Sequence, residues 1–303
     1  MAPPVIRIGG YAPPDSAHSR ALDRFAEFVR TESRGDIGVE VLHNVMDLGR
    51  PATDLFDMMT VGELTLCYFS TSYLGSRVPL LDALEIPFLF DSLDEAHEAL
   101  DGPFGAALAD ATREVLGCEV LGYWDNGFRH LTNMVRPVRS PVDCDGLSIR
   151  LQPNRIHEAL ARAWGMKPVL TELSAGIEMI TAGEVDAQEN PLANTFAYGV
   201  THHHITLTSH LYGARGVFAN SDQLAAIGTS AANVVRDAAR VAIEYQRTEA
   251  RRYEDELRAG FEAEGRTVVD LSDQQRQAFV EAAQPVISDA RAAIPGELLD
   301  VLP

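Results

Sequence analysis

The run at residues 64–69, LTLCYF, is apolar but for Thr65 and lacks the polar–apolar alternation of a strand with one wet face. A strand of that kind is buried on both faces, as happens when crossover helices cover a parallel sheet. Its neighbours fit such a sheet. Residues 5–10 and 37–42 read as strands, and between them Pro13-Pro14-Asp15-Ser16 opens a helix with Leu22, Phe25, Ala26 and Val29 on one stripe. Leu48-Gly49-Arg50-Pro51 opens another helix, to about residue 61. Strands alternating with helices predict an α/β architecture.

The pattern then repeats. Residues 94–116 read as one helix, 119–124 as a strand, 127–133 (GFRHLTN) as a second extended piece and 136–141 (RPVRSP) as a loop. A short strand at 147–151 carries Arg150, and 153–164 is helical. Residues 169–170 read as strand and 174–181 as helix, before VDAQENP at 185–191. A second strand–helix unit therefore occupies roughly 126–212. Residues 230–264 are helical with one internal glycine, Gly260, as one long helix or two stacked ones. The charged run RTEARRYEDELR at 247–258 is a solvated face with i,i+4 pairs.

A chain of 303 residues, 46% hydrophobic and 23% charged, exceeds what one core usually fills. The expected division is 1–125 plus about 213–252 for one lobe, and 126–212 plus about 253–303 for the other. A formal charge of −19 disfavours nucleic acid and anionic lipid, yet leaves open a small anion met by a local arginine. Cys67, Cys118 and Cys144 form no CxxC pair and allow at most one disulfide; the first two lie in apolar runs as small core residues. No 18-residue apolar run and no leader pattern are present. The chain is then either cytoplasmic or one whose leader has been removed.

Three polar residues in apolar surroundings stand out. Arg150 lies between Ile149 and Leu151, and Arg129 between Phe128 and His130 in GFRHLTN. Taken one at a time, each is best read as the polar side of an alternating strand. A guanidinium is also a planar fork matched to a carboxylate. Asn190, before Pro191, reads locally as a helix N-cap, though its amide could equally serve a carboxylate or hydroxyl. His202-His203-His204 reads as a solvated loop rather than a zinc site, since consecutive residues cannot all face one ion. GxSxG, HExxH, a P-loop and GxGxxG after the first strand are all missing. No metal or cofactor is expected.

The order LG-x-P at 48–51, IPFLF at 86–90, GFRHLTN, RPVRSPVDCDGLSIRLQPN and GEVDAQENP resembles the solute-binding subunit of TRAP (tripartite ATP-independent periplasmic) transporters, the DctP family. The resemblance covers almost the whole chain, and its specific part runs from Arg129 to Pro191. It implies a two-lobed, periplasmic-binding-protein-like fold (type II-like), a ligand cleft between the lobes and a long helix spanning both. It implies a monomer in the periplasm that captures a small organic acid and hands it to TRAP membrane subunits. It also implies that Arg150 pairs with the ligand carboxylate, that Asn190 supports it and that Arg129 faces the cleft. VDAQENP then becomes a strand end delivering Asn190, with Pro191 starting the next helix and Glu189 orienting a basic neighbour or serving structure. Around the anchor, the further ligand candidates are Tyr11, Asp15, His18, Ser70, Ser72, Tyr73, Phe88, Leu173 and Tyr212. Thr65 departs from relatives that carry an acidic residue there, at a position not expected to touch ligand.

Two other functions compete with this one. An enzyme on the same scaffold would need a general base, with His18, Glu189 or Asp15 as candidates, and nothing pairs these with a nucleophile. The same module could also serve a sensor.

Overall fold

The structure, a computed structural model, describes residues 3–302. In chain order the elements are β1 (Val5–Gly9), α1 (Ala17–Glu32), β2 (Gly38–Leu42), α2 (Asp54–Thr60), β3 (Leu66–Ser70), α3 (Leu93–Asp101), α4 (Pro103–Leu116) and β4 (Cys118–Asn133). Then follow β5 (Ser148–Leu151), α5 (Arg155–Ala163), β6 (Lys167–Leu170), α6 (Leu173–Thr181), β7 (Ala187–Asn190), α7 (Leu192–Ala197) and β8 (His204–Asn220). The chain closes with α8 (Ser221–Ala226), α9 (Thr229–Ala263), β9 (Thr267–Asp270), α10 (Asp273–Ala292) and α11 (Gly296–Leu299). Two compact units result. The first holds the chain to Thr71, Leu100–Asp125 and Ala214–Arg251; the second holds Ser72–Ala99, Asn126–Gly213 and everything from Arg252.

In the first unit β1 pairs in parallel with β2 and β3, and β3 pairs antiparallel with β8, Ser70 opposite Arg215. All five residues of β3 are buried, as its apolar sequence requires, but the sheet is mixed rather than all parallel. Helix α1 starts where the Ser16 hydroxyl accepts the Ser19 N–H at 3.0 Å, and it buries Leu22, Phe25, Ala26 and Val29.

In the second unit β7 lies between β4 (antiparallel) and β5 (parallel), and β6 extends β5 in parallel. Strand alternation sends Leu131, Ile149, Leu151 and Ala187 into one core with Leu160, Trp164 and Phe279. Val169, paired with Arg150, packs instead with Ile180, Val185 and Val200.

Several sequence expectations are corrected. Residues 94–116 form two helices, because Pro103 lacks the N–H that would continue α3 and instead takes the first turn of α4. Residues 118–133 form one 16-residue strand; Gly122 (φ 139°) and Gly127 (φ 98°) absorb its bends where a side chain would be strained. Residues 204–220 are a strand and 273–292 a helix, neither of which the sequence pattern revealed. Segment 72–99 belongs to the second unit, where Glu85 meets His157 at 2.6 Å and Asp82 meets Arg155 at 2.9 Å. Among the described residues no helix is long and apolar enough to cross a membrane.

The histidine triplet is not a solvated loop. His202 is buried and shares a 2.9 Å hydrogen bond with Thr132, and His204 begins β8. Burial pushes the His202 imidazole down from 6.5 to about 4. Between those values the unfolded chain binds more protons, so stability is lost as pH falls, by on the order of 3 kcal/mol for this residue. Urea midpoints at about pH 7 and about pH 4.5 should differ less in His202→Gln than in the wild type; equal differences would contradict the assignment.

Candidate functional site

Ile149 and Leu151 are committed to the core, so Arg150 must emerge on the opposite face of β5. There it meets α6. An added Cβ at Gly176 would lie 2.2 Å from Arg150 Nε, so the missing side chain makes room for the guanidinium. Arg150 Nε donates to Thr171 Oγ1 at 3.2 Å and Nη2 donates to the Thr171 carbonyl at 2.7 Å. The Tyr73 hydroxyl lies beside this guanidinium: burial raises its pKa, and Arg150 works against that rise. Arg150 is only 4% exposed and forms no ion pair with any described residue.

Arg129 is in the opposite situation. The register places it on the face of Leu131 and Glu189, away from Arg150. Its Nε donates to Glu189 Oε2; its Nη2 donates to Oε1 at 2.6 Å and to the Glu189 carbonyl at 2.9 Å. Burial alone would raise the Glu189 carboxyl, but Arg129, His157 and His210 outweigh it and hold the group well below the usual carboxylate range. The Nε/Nη2 fork of Arg129 is thus filled by Glu189 rather than left open. Of the two sequence readings of Glu189, orienting a basic neighbour is the one the geometry matches.

VDAQENP ends as a strand, and Asn190 is its last residue. Pro191 takes the N-cap position of α7, so Asn190 is not the cap. Gln188 pairs with Arg150 in register, and an amide chain runs from it. Gln188 Nε2 donates to Thr195 Oγ1 at 3.0 Å, Asn190 Nδ2 to Gln188 Oε1 at 3.0 Å, and Asn194 Nδ2 to both Asn190 Oδ1 and Asn126 Oδ1 at 3.1 Å. Each amide keeps further hydrogen-bonding capacity beyond these bonds.

Tyr73 also lines a cavity of about 450 Å³ with Ser76, Asp82, Asn154, Arg155 and Leu170. The cavity opens past the carboxyl ends of β5 and β6, where ligands of open α/β sheets bind. Leu173 is buried in the first turn of α6, three residues before Gly176. Ser72 lines the same cavity, and the remaining second-unit candidates have partners within the protein. Ser72 Oγ donates to Glu85 Oε1 at 2.6 Å. Phe88, held at φ 56°, packs on the Leu160–Trp164 core, with the Arg276 guanidinium 5.2 Å from its ring. Tyr212 sits edge-on to Phe90 and Phe128, at 5.5 and 5.7 Å.

The first unit gathers its own candidates around a residue the sequence reading passed over. Arg215, 2% exposed, lies 4.8 Å from the Tyr11 ring and 5.5 Å from that of Tyr68, and shares its register position with Ser70. His18 stacks on Tyr68 at 5.2 Å, and its Nε2 meets the Asp125 carbonyl at 2.9 Å. Burial first, then Arg215, lowers its pKa well below the ordinary value, so it stays neutral and held. Asp15 is exposed just before α1. Arg215 carries the same signal as Arg150, a lone arginine in an apolar run (LYGARGVF), but its segment was not recognised as a strand. Thr171, Gly176 and Gln188 carry no such signal, because their roles exist only through the sheet register and the packing of α6.

The chain as a whole is similar to known proteins. A solute-binding protein of Verminephrobacter eiseniae (strain EF01-2) is 31% identical over 93% of this chain and 83% of its own length. The 2,3-diketo-L-gulonate-binding periplasmic protein YiaO of Escherichia coli (strain K12) is 27% identical over 91% of this chain and 83% of its own. Among solved structures, the sugar acid binding protein DctPAm of Advenella mimigardefordensis strain DPN7T, in complex with galactonate, matches with a TM-score of 0.92 at 26% identity, over 100% of this chain and 97% of that one. A TRAP periplasmic solute-binding protein from Sulfitobacter sp. NAS-14.1, with bound β-D-galacturonate, matches with a TM-score of 0.89 at 25% identity, over 98% of each chain. Residues 8–293 fit the model of bacterial extracellular solute-binding proteins, family 7, and the chain belongs to that family.

Proposed function

We propose that this protein is a periplasmic solute-binding protein that captures a small organic carboxylate on Arg150 and delivers it to TRAP membrane subunits. The observation that carries the reading is the contrast between two buried arginines. Arg129 has a carboxylate in its fork; Arg150 has hydrogen bonds to Thr171 but, among the described residues, no anion. Burying a charge without a counter-charge is costly, and a carboxylate presented to the guanidinium removes that cost. The pairing is charge-assisted and bidentate, the strong form of such a contact. Gln188 and Asn190, on the same sheet face by register, supply amides for the same anion or for a neighbouring hydroxyl. Ligand binding would therefore favour whatever arrangement surrounds the neutralised Arg150, a population shift that a membrane partner can read.

No turnover is expected. Two of the three candidate bases are occupied: Glu189 is locked to Arg129, and His18 to the Asp125 carbonyl; the third, Asp15, is exposed. Related proteins carry galactonate, galacturonate and succinate, and we propose the same chemical range here: a short acid, hydroxylated in the main.

A thermal-shift screen of such acids tests this. An acid at about one hundred times its Kd stabilises by about 2.7 kcal/mol, a rise of several degrees in Tm. Arg150→Ala should lose the response, while its unliganded Tm does not fall, because a buried unpaired charge has been removed. Gly176→Ala should weaken binding about tenfold or more by displacing the guanidinium, and helix propensity alone would favour the variant by up to about 1 kcal/mol. An undiminished shift in Arg150→Ala would overturn the assignment.

A further inference from the structure

Four other charged groups lie buried beside this site, and they balance. Glu85 Oε2 meets His157 Nε2 at 2.6 Å, and His157 Nδ1 faces Glu189 Oε1 at 3.5 Å. Glu189 in turn holds Arg129, and His210 lies 3.5 Å from the same carboxylate. Glu85, His157, Glu189 and Arg129 are all at most 4% exposed. Burial alone would lower the His157 imidazole, but Glu189 and Glu85 outweigh it and push it up to about 9. Two cations and two anions therefore cancel without any ligand. Such a network seldom adds stability over apolar packing of the same volume, so its use is to fix geometry.

Its two ends touch the proposed site through the chain itself. Ser72, the residue before Tyr73, donates to Glu85 Oε1 at 2.6 Å. Glu189 is the residue before Asn190. Further contacts clamp the Tyr73 segment: Asn154 Nδ2 reaches the Ser72 carbonyl at 3.4 Å, and a Cβ at Gly75 would lie 2.1 Å from Asp82 Oδ1. Tyr73 sits on a three-residue 3-10 turn, Thr71–Tyr73, which has little rigidity of its own.

We propose that Ser72, Glu85 and His157 form a positioning relay that holds Tyr73 against Arg150, making them determinants of carboxylate affinity without touching ligand. The proposal rests on Arg150 being the carboxylate anchor. Without the Ser72–Glu85 bond the turn can rotate, and the Tyr73 hydroxyl leaves the guanidinium. The relay then matters for binding only through Tyr73.

A double-mutant cycle tests this, with Kd measured by titration calorimetry for an acid that stabilises the wild type. Ser72→Ala and Tyr73→Phe should each weaken binding about tenfold, and the double variant hardly more than either alone, because both remove the same contact. Ser72→Thr, which keeps the hydroxyl, should bind within about twofold of the wild type. Tm measured alongside keeps loss of fold apart from loss of affinity. Wild-type affinity in Ser72→Ala, or a double effect equal to the product of the singles at about one hundredfold, would overturn the relay. Arg150→Ala run in parallel separates the two ideas: retained binding there overturns the anchor itself, and lost binding with multiplicative singles overturns the relay alone.

Discussion

A guanidinium held out of water, with no anion beside it among the described residues, is the constraint on which the second unit turns. Arg150 cannot be tolerated cheaply, and the structure around it is built to tolerate it: the Thr171 carbonyl and hydroxyl accept its protons, the Tyr73 hydroxyl lies beside it, and Gly176 leaves the space. Those neutral acceptors satisfy hydrogen bonds but leave the charge. The remaining positive charge is what a carboxylate would neutralise. Arg129 shows that the same fold can neutralise an arginine internally.

Strand alternation sorts these two arginines. Glu189 and Arg129 share the face that carries Leu131 and Ile149, where α5 brings His157 and the core closes over all of them. Gln188, Asn190 and Arg150 share the other, against α6. One four-residue strand, AQEN, thereby supplies a charge-balanced structural network with one side and the proposed ligand-reading set with the other. A shift of one residue in its register would exchange the two, which explains why Asp186 pins the start of the strand by accepting from the Ser148 N–H at 2.8 Å and from its hydroxyl at 2.7 Å.

Much of this was legible in the sequence. The apolar run at 64–69 announced a buried strand, and residues 230–264 announced a helix that the structure shows as one element of 35 residues. Arg150 stood out as a lone charge in an apolar strand, and the joint order of GFRHLTN, GLSIR and QENP marked the family. What local pattern could not supply was face and partner. Arg129 looks like Arg150 in sequence, and only the pairing of β4 with β7 shows that Glu189 already fills its fork. Nor could local pattern show that Ser72 bonds Glu85 and that Phe88 packs on the core, since those partners are distant in the chain. The strand holding Arg215 was missed because its 17 residues do not alternate: most are buried, so no two-residue period is visible.

A crystal structure with a stabilising acid bound is the most direct measurement of the central claim. The account predicts both carboxylate oxygens within about 3 Å of Arg150 nitrogens, with Asn190 or Gln188 donating to the same group and Arg129 still paired with Glu189. A ligand whose carboxylate lies elsewhere, with Arg150 still bonded only to Thr171, would contradict it.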